Sequence, residues 1–407
     1  MYILLQTSII TVLSYFNISD TNPSVITTFL EFIMKKTAES FDIYRPKILL
    51  IGIHAPYNTT PNIQSYYDEF IKLVESDNLI YDETFFFKLR EVDSSTFITK
   101  GKLEEILALC EKHGIDEIII SEPLSPPQER NLRDYLHRKV FDRNQLILEI
   151  FERNAHSAEG KMQVQIAMLQ HKKSRLAGKG VTMGQQKGKG AIGGAGETSK
   201  ERERRHIEEE ILKLNRQLEK LYQTKETQRK QRLTTQVPLV CLIGYTNAGK
   251  STIINALTKS DVLAEDRLFA TLDTTTRQLF IDNKKKGLIS DTVGFIQLLP
   301  SKLIDAFKST LSELQYADLL LHVVDVADES WENHIKVVQE ILDDLDIDKP
   351  TLYVFNKADK INITPRQHDL LQRYYPHVII SSVTKQGIQP LIEFLSSWEK
   401  EPTPSKS

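Results

Sequence analysis

Apolar residues arrive along this chain in two rhythms. Short unbroken runs at Pro46–His54, Thr84–Val92, Asp116–Ser121 and Gln145–Phe151 alternate with stretches of helical spacing, and the alternation predicts an α/β unit over residues 45–158. Inside it Leu103, Ile106, Leu107 and Cys110 recur at helical intervals behind Lys100-Gly101-Lys102, which reads as a helix start. That triplet lacks the leading glycine and the Ser/Thr of a phosphate loop. Farther on, Met162, Ile166, Leu169 and Leu176 form one stripe, and Ile207, Ile211, Leu214, Leu218 and Leu221 form another at strict four-three spacing. The pair predicts an antiparallel helical hairpin over 159–232. Three more buried-strand patterns, Pro238–Ile243, Gly287–Ser290 and Thr351–Phe355, belong to a second α/β unit over 237–400, leaving an extension (1–44) and a short tail (401–407).

The ends of those last strands carry the chemistry. Gly244-Tyr245-Thr246-Asn247-Ala248-Gly249-Lys250-Ser251 lies between a strand and the helical pattern Ser251–Leu257, where backbone N–H groups and a helix amino end can face a phosphate chain. Lys250 is expected to reach the β- and γ-phosphates, and the Ser251 hydroxyl to ligate Mg²⁺. Asp291-Thr292-Val293-Gly294 follows the next strand, with Asp291 near the metal and the Gly294 N–H offered to the γ-phosphate. Asn356-Lys357-Ala358-Asp359 selects the base, because a carboxylate at Asp359 can accept from both N1–H and the 2-amino group of guanine. Adenine offers neither donor, a difference worth roughly four orders of magnitude. Ser381-Ser382-Val383 is the expected turn beside the guanine oxygen. Between the phosphate loop and Asp291, four threonines (Thr271, Thr274, Thr275, Thr276) compete for the switch position, and spacing alone leaves the choice open. Phe295 follows Gly294 where many switch GTPases carry a water-orienting glutamine; phenylalanine cannot hydrogen-bond the attacking water, so hydrolysis should be slow and need a group from elsewhere, and the plain alternative for the ring itself is packing beneath the switch.

Composition narrows the partners. A net charge of −3 over 407 residues makes any nucleic-acid footprint local. From Lys161 through Gly196 every charged residue is basic: Lys161, Lys172, Lys173, Arg175, Lys179, Lys187 and Lys189, with no acid among them. The same segment holds eight of the chain's 17 glycines, between 178 and 196. A basic, glycine-rich tip on a two-helix arm suits RNA phosphates better than it suits a linker. Two cysteines, Cys110 and Cys241, both in apolar surroundings, argue for a reducing compartment, and the histidines lack transition-metal spacing. Met1 to Asn17 carries no charge but lacks the basic start of a signal peptide, and no other segment could span a bilayer.

Longer strings make the chain resemble the HflX family of ribosome-associated GTPases from about Arg45 to Trp398. They are Leu124-Ser125-Pro126-Pro127-Gln128-Glu129-Arg130-Asn131-Leu132, the run Asp142–Phe151, Ala158-Glu159-Gly160-Lys161-Met162-Gln163-Val164, Leu268-Phe269-Ala270-Thr271-Leu272-Asp273 and Asp291–Ile296. The resemblance implies an α/β protein in which an amino-terminal α/β domain and a long helical hairpin precede a P-loop GTPase domain with a mostly parallel sheet. It assigns Thr271 as the switch threonine on Mg²⁺ beside Ser251, makes Phe269, Ala270, Thr271, Leu272 and Asp273 nucleotide contacts, and leaves Lys250, Thr271 and Gly294 as the catalytic set. It further implies GTP/GDP as ligands and the large ribosomal subunit, through its RNA, as partner, with no DNA, no integral membrane span, a monomer, and a cytoplasmic location partly peripheral to membrane. Splitting of stalled ribosomes and subunit maturation are the implied tasks. One departure stands out: Gly193-Gly194-Ala195-Gly196-Glu197-Thr198-Ser199-Lys200 lacks the family's usual proline and following leucine. The competing readings are a signalling-type switch that binds protein effectors and a passive RNA-binding assembly factor.

Overall fold

The structure is a computed structural model that describes residues 45–60, 62–177, 199–234, 237–258, 268–269, 275–281, 284–298, 311–384 and 386–400. The extension 1–44, the glycine-rich loop 178–196, the switch residues Ala270, Thr271, Leu272, Asp273 and Thr274, and the tail 401–407 lie outside the described residues.

The first layer begins with β1 (Ile48–His54), whose almost continuous burial marks a strand covered on both faces. Helix α1 (Ile63–Ser76) follows, started by Asn62, whose side chain accepts from the Ser65 N–H. Then come β2 (Glu83–Lys88), α2 (Lys100–His113), β3 (Glu117–Ile120), α3 (Pro126–Leu136), β4 (Lys139–Asp142) and α4 (Arg143–Asn154). Helix α2 starts at Lys100 as expected, and a reciprocal Ser125/Gln128 capping box with proline in the first turn starts α3. The four strands pair in parallel in the order β2-β1-β3-β4. Helices α2 and α3 cover one face through Leu103, Ile106, Cys110, Leu132 and Leu136, and α1 and α4 cover the other.

One expected strand is a helix. Gln145–Phe151 lies within α4, because the Asp142 carboxylate accepts from the Gln145 N–H at 2.9 Å and starts a helix there. Leu146, Ile147, Leu148, Ile150 and Phe151 are all buried, and a helix packed nearly all round loses the periodicity that separates it from a strand. The true fourth strand is the short run just before it. The second strand also stops at Lys88 rather than Val92, where Arg90 and Glu91 turn to solvent.

Helices α5 (Ala158–Ala177) and α6 (Ser199–Thr234) form the antiparallel hairpin. Ion pairs and hydrogen bonds run in opposite senses along it: Glu159 meets Lys225, Gln163 meets Tyr222, Lys173 meets Glu208 and Lys172 meets Glu203. Ile166, Leu214 and Leu218 form its apolar seam, joined by Met162, Leu169 and Ile211. Near the loop end of α5, Arg175 binds Glu129 of α3 and, at 3.1 Å, Asp142.

The second layer runs β5 (Leu239–Gly244), α7 (Lys250–Leu257), β6 (Thr276–Ile281), β7 (Lys284–Ser290), β8 (Leu319–Asp325), α8 (Trp331–Asp344), β9 (Thr351–Asn356), α9 (Pro365–Leu371), β10 (His377–Ile379) and α10 (Gln389–Ser397). Its sheet has the order β10-β9-β8-β5-β7-β6, parallel except for the β6–β7 hairpin. Helices α7 and α10 fill one face. The opposite face shares one continuous apolar core with α1, α4 and α5: Phe70, Leu73, Ile147, Ile150, Phe151 and Val164 pack in the same cluster as Cys241, Ile243, Phe269, Phe295 and Val338. Phe151 and Phe269 meet edge to face at 4.6 Å across it. Cys110 and Cys241 are both free and buried.

Asp142 ties three parts of this architecture together, accepting from the Leu124 N–H (3.0 Å), the Gln145 N–H and Arg175. Asp142→Ala should therefore cost about 3 kcal/mol of stability by leaving the Leu124 and Gln145 N–H groups without their acceptor and taking from Arg175 one of its two carboxylate partners. Urea unfolding should show this as a lowered midpoint, with Asp142→Asn, which keeps an acceptor, recovering part of the loss.

Candidate nucleotide site

The predicted motifs converge at the carboxyl ends of β5, β7 and β9, where open α/β sheets bind their ligands. Gly244 turns the chain out of β5 at φ +146°, and a Cβ there would lie 2.2 Å from the Val323 carbonyl oxygen of the neighbouring strand. Gly249 opens α7 at φ +96°, where a Cβ would lie 2.2 Å from the Asn356 amide nitrogen. Only glycine serves at either place. Lys250 folds back over the loop and donates to the carbonyls of Gly244 (3.1 Å) and Tyr245 (2.8 Å). Burial lowers its pKa to about 8, opposed by the nearby Asp291 carboxylate. Behind it, burial and then the Lys250 charge push the His322 imidazole down to about 3, so this β8 histidine is neutral.

Asp291 is buried at the end of β7 and receives the Ser251 hydroxyl at 3.4 Å. A hydroxyl beside a carboxylate is an all-oxygen donor set, which fits a hard cation such as Mg²⁺. Among the described residues there is no cluster of His, Cys, Asp and Glu with a different metal's character. Thr292 turns inward, its hydroxyl donating to the Leu242 carbonyl at 2.6 Å. Gly294 comes to rest against the phosphate loop: a Cβ there would lie 2.8 Å from Thr246 Cγ2 and 3.0 Å from Lys250 Nζ. Phe295 is 1 % exposed and packs in the shared core, which resolves its role in favour of packing. Its backbone donates to Gly244 O (3.2 Å) and accepts from Thr246 N–H (2.8 Å), joining the two loops.

At the base end, Asn356 braces two loops at once. Its amide nitrogen donates to Ala248 O at 2.9 Å and its amide oxygen accepts from the Ser382 N–H at 3.0 Å. Lys357, at φ +63°, pairs with Asp325 at 2.7 Å. Ala358 opens a short 3₁₀ turn (Ala358–Lys360). The exposed Asp359 carboxylate accepts from the Ser381 hydroxyl at 2.6 Å, and that hydrogen bond holds its pKa below the usual carboxylate range. One oxygen is thus fixed and the group is charged at neutral pH, as an acceptor of two guanine donors must be. The Ser381 N–H is engaged by Gly387 O and that of Ser382 by Asn356. Val383, 74 % exposed, carries the turn's one N–H without an acceptor among the described residues.

The segment between the phosphate loop and Asp291 is described at Leu268, Phe269, 275–281 and 284–290. The Phe269 ring is buried against Phe151, and its carbonyl accepts from Asn154 Nδ2 at 2.8 Å, so its side chain serves the core. A cleft of about 480 Å³ beside the phosphate loop is walled by Thr246 and Asn247 on one side and by Asp68 and Lys72 of α1 on the other. The first layer therefore borders the site directly.

Three family models match consecutive stretches of the chain: "GTP-binding GTPase N-terminal" over 64–152, "GTP-binding GTPase Middle Region" over 154–232 and "50S ribosome-binding GTPase" over 239–357. A protein named GTPase HflX from Caldanaerobacter subterraneus subsp. tengcongensis is 42% identical over 307 residues, spanning 75% of this chain and 70% of that one. The chain belongs to the HflX family of GTPases. The HflX protein of Flavobacterium psychrophilum is 38% identical over 87% of both chains, and that of Escherichia coli is 39% identical over 74% of this chain and 71% of its own. A solved structure titled "crystal structure of SsGBP and GDP complex" is 27% identical and matches with a TM-score of 0.50, covering 86% of this chain and 97% of that one. As an HflX protein, the chain is a GTP-hydrolysing enzyme.

Sequence reasoning missed a set of buried polar residues behind the site: Glu69, Arg143, Gln297 and His334. Of these only Arg143 fell in a string that resembles HflX, and no local pattern linked it to the others. Tyr245, expected merely as a loop residue, is the member that joins them, its ring stacked on His334 at 3.8 Å and its hydroxyl directed to Glu69.

The lowered Lys250 pKa sets a sign for stability. Between about 8 and the ordinary 10.5 the unfolded chain holds the proton and the folded chain does not, so this group makes the nucleotide-free protein more stable as pH rises through that window. Below about 8 the burial penalty is present in full. In paired unfolding curves without nucleotide, the advantage of Lys250→Met over wild type should shrink by about 3 kcal/mol from neutral pH to the top of the window. A pH-independent difference would contradict a buried, charged lysine.

Proposed function

We propose that this HflX protein is a Mg²⁺-dependent GTPase that binds the large ribosomal subunit and acts in the rescue or splitting of stalled ribosomes or in ribosome biogenesis, in the cytoplasm. The observation that carries the reading is the apposition of Gly294 with Lys250 and Thr246, because a γ-phosphate between them would be contacted by both loops and its loss would free one of them. In that arrangement Lys250 and the loop N–H groups hold the phosphates, Asn356 braces the base site, and Asp359 with Val383 reads guanine. Ser251 and Thr271 would hold Mg²⁺, with Asp291 behind them; the ion supplies charge neutralisation to the β- and γ-phosphates. Phe295 is enclosed in the core, so the group that orients water comes from another part of the chain or from the partner.

The ribosome enters through the family description and through the hairpin, whose glycine-rich loop carries Lys179, Lys187 and Lys189. The cationic face is smaller than the sequence implied. Lys172 pairs with Glu203, Lys173 with Glu208, and Arg175 with Glu129 and Asp142. Among the described residues no helix is long and apolar enough to cross a membrane. Family membership disfavours the effector-binding switch.

Sedimentation with separated ribosomal particles tests the partner: the protein should travel with the large subunit when a non-hydrolysable GTP analogue is present. Removing Gly178–Gly196 should abolish ribosome stimulation while GTP affinity stays within about twofold. Log affinity for the subunit should fall with log salt by roughly 0.7 to 0.9 per phosphate neutralised, and the slope should drop by about two to three when Lys179, Lys187 and Lys189 are all changed to alanine. An unchanged slope would exclude the loop as the RNA-binding element. Asp359→Asn should weaken GTP at least tenfold and erode guanine-over-adenine preference; full retention would mean that the base is read elsewhere.

A further inference from the structure

Behind the phosphate loop lies a buried ionic cluster that nucleotide binding does not use. Arg143 of α4 (1 % exposed) donates through Nη2 to Glu69 Oε1 of α1 at 2.5 Å and to the Gln297 carbonyl at 3.0 Å. The other Glu69 oxygen accepts the Tyr245 hydroxyl and lies 3.4 Å from the Gln297 N–H, which itself donates to the Tyr245 oxygen at 2.7 Å. The first layer thus holds both main-chain polar groups of Gln297, three residues past Gly294, and the side chain of the residue after Gly244.

We infer that Glu69 and Arg143 are positioning residues for GTP hydrolysis, setting through the Tyr245 hydroxyl the distance between the phosphate loop and the segment that follows Gly294.

Three observations support this. Tyr245 and Phe295 already form a parallel backbone bridge, so the Tyr245–Gln297 bond is a second tie, two residues on, between the same two loops. The tolerance between those loops is small, since a Cβ on Gly294 would lie 2.9 Å from Thr246 Cα. Finally, burying a carboxylate and a guanidinium is no better for stability than packing apolar side chains of the same volume, so the pair is explained by the geometry it imposes. The location fits as well. In a parallel sheet ordered β2-β1-β3-β4 the crevice between β1 and β3 is where a ligand would normally sit. Here the Thr60 hydroxyl, just past β1, reaches the Gln297 side chain at 3.1 Å, and Arg143 lies over the Tyr66 ring at 5.0 Å. The Gln297 side chain, in the segment that follows Gly294, meets the first layer on that side.

None of these groups is a nucleotide-contacting one apart from the Tyr245 backbone, so the inference separates rate from affinity. It rests on GTP hydrolysis alone and is independent of the ribosome. The full-length protein without ribosomes should be compared as wild type, Tyr245→Phe, Glu69→Gln and the double variant, by single-turnover GTP hydrolysis, GTP affinity and thermal unfolding. Tyr245→Phe removes only a hydroxyl and keeps the stack on His334, so it remains folded even where Glu69→Gln is impaired. Each single change should slow hydrolysis about tenfold with GTP affinity within about twofold, and the double should be no slower than about twofold below either single, as expected for parts of one unit. Overturning results are a normal rate in Tyr245→Phe, a parallel fall of rate and affinity, or multiplicative losses in the double. A lowered melting temperature with an unchanged rate per folded molecule would leave the cluster a purely structural role and also overturn the inference.

Discussion

The constraint on which this molecule depends is one apolar core that α1, α4 and α5 share with α8 and the face of the nucleotide-binding sheet that α8 covers. Domains in one chain usually meet through modest polar surfaces that permit independent motion. Here a single apolar cluster runs from Phe70 and Ile150 through Phe151 and Phe269 to Ile243 and Val338. Separating the layers would expose a core, so the phosphate loop, the Leu268–Phe269 turn and the Phe295–Gln297 segment are held against a wall that is not part of the nucleotide-binding sheet. The Leu268 N–H makes the point locally, donating to the Ser76 hydroxyl at the end of α1.

Within that wall polarity is distributed with purpose. Burial raises the pKa of the Glu69 carboxyl, and the Arg143 guanidinium and the Gln297 N–H work against the rise. Tyr66 and Tyr57 similarly share Glu122 at the crevice, with bonds of 2.9 and 2.5 Å. His334 and His322 are both driven toward the neutral form by burial, which keeps extra positive charge away from a region that must already accommodate Lys250.

The convergence of the candidate site's loops was legible because phosphate and base chemistry restricts residue type at each position. Gly244, Gly249 and Gly294 stand where a Cβ would collide, and Asn356 bridges the loops it was expected to brace. What sequence patterns could not convey were relations over distance. The helix α4 was misread as a strand because burial on nearly every side erased its period, and the single local clue to a helix, the carboxylate of Asp142, needed its hydrogen bond to be seen. The charges of the hairpin looked unopposed because their acids sit across it, 31 residues on for Lys172 and 35 for Lys173. The Glu69–Arg143 pair spans 74 positions, and the Glu69–Tyr245 contact spans 176.

The junction of β4 and α4 has a consequence of its own. Asp142 closes the strand and holds Arg175, which stands three positions before the glycine-rich segment begins; Arg143 opens the helix and holds Gln297. Two adjacent residues, their α-carbons about 3.8 Å apart, thus hold the last turn of the hairpin's first helix and the segment after Gly294. The start of α4 is therefore one anchor shared by the hairpin and the nucleotide-binding half, with no intervening relay of side chains.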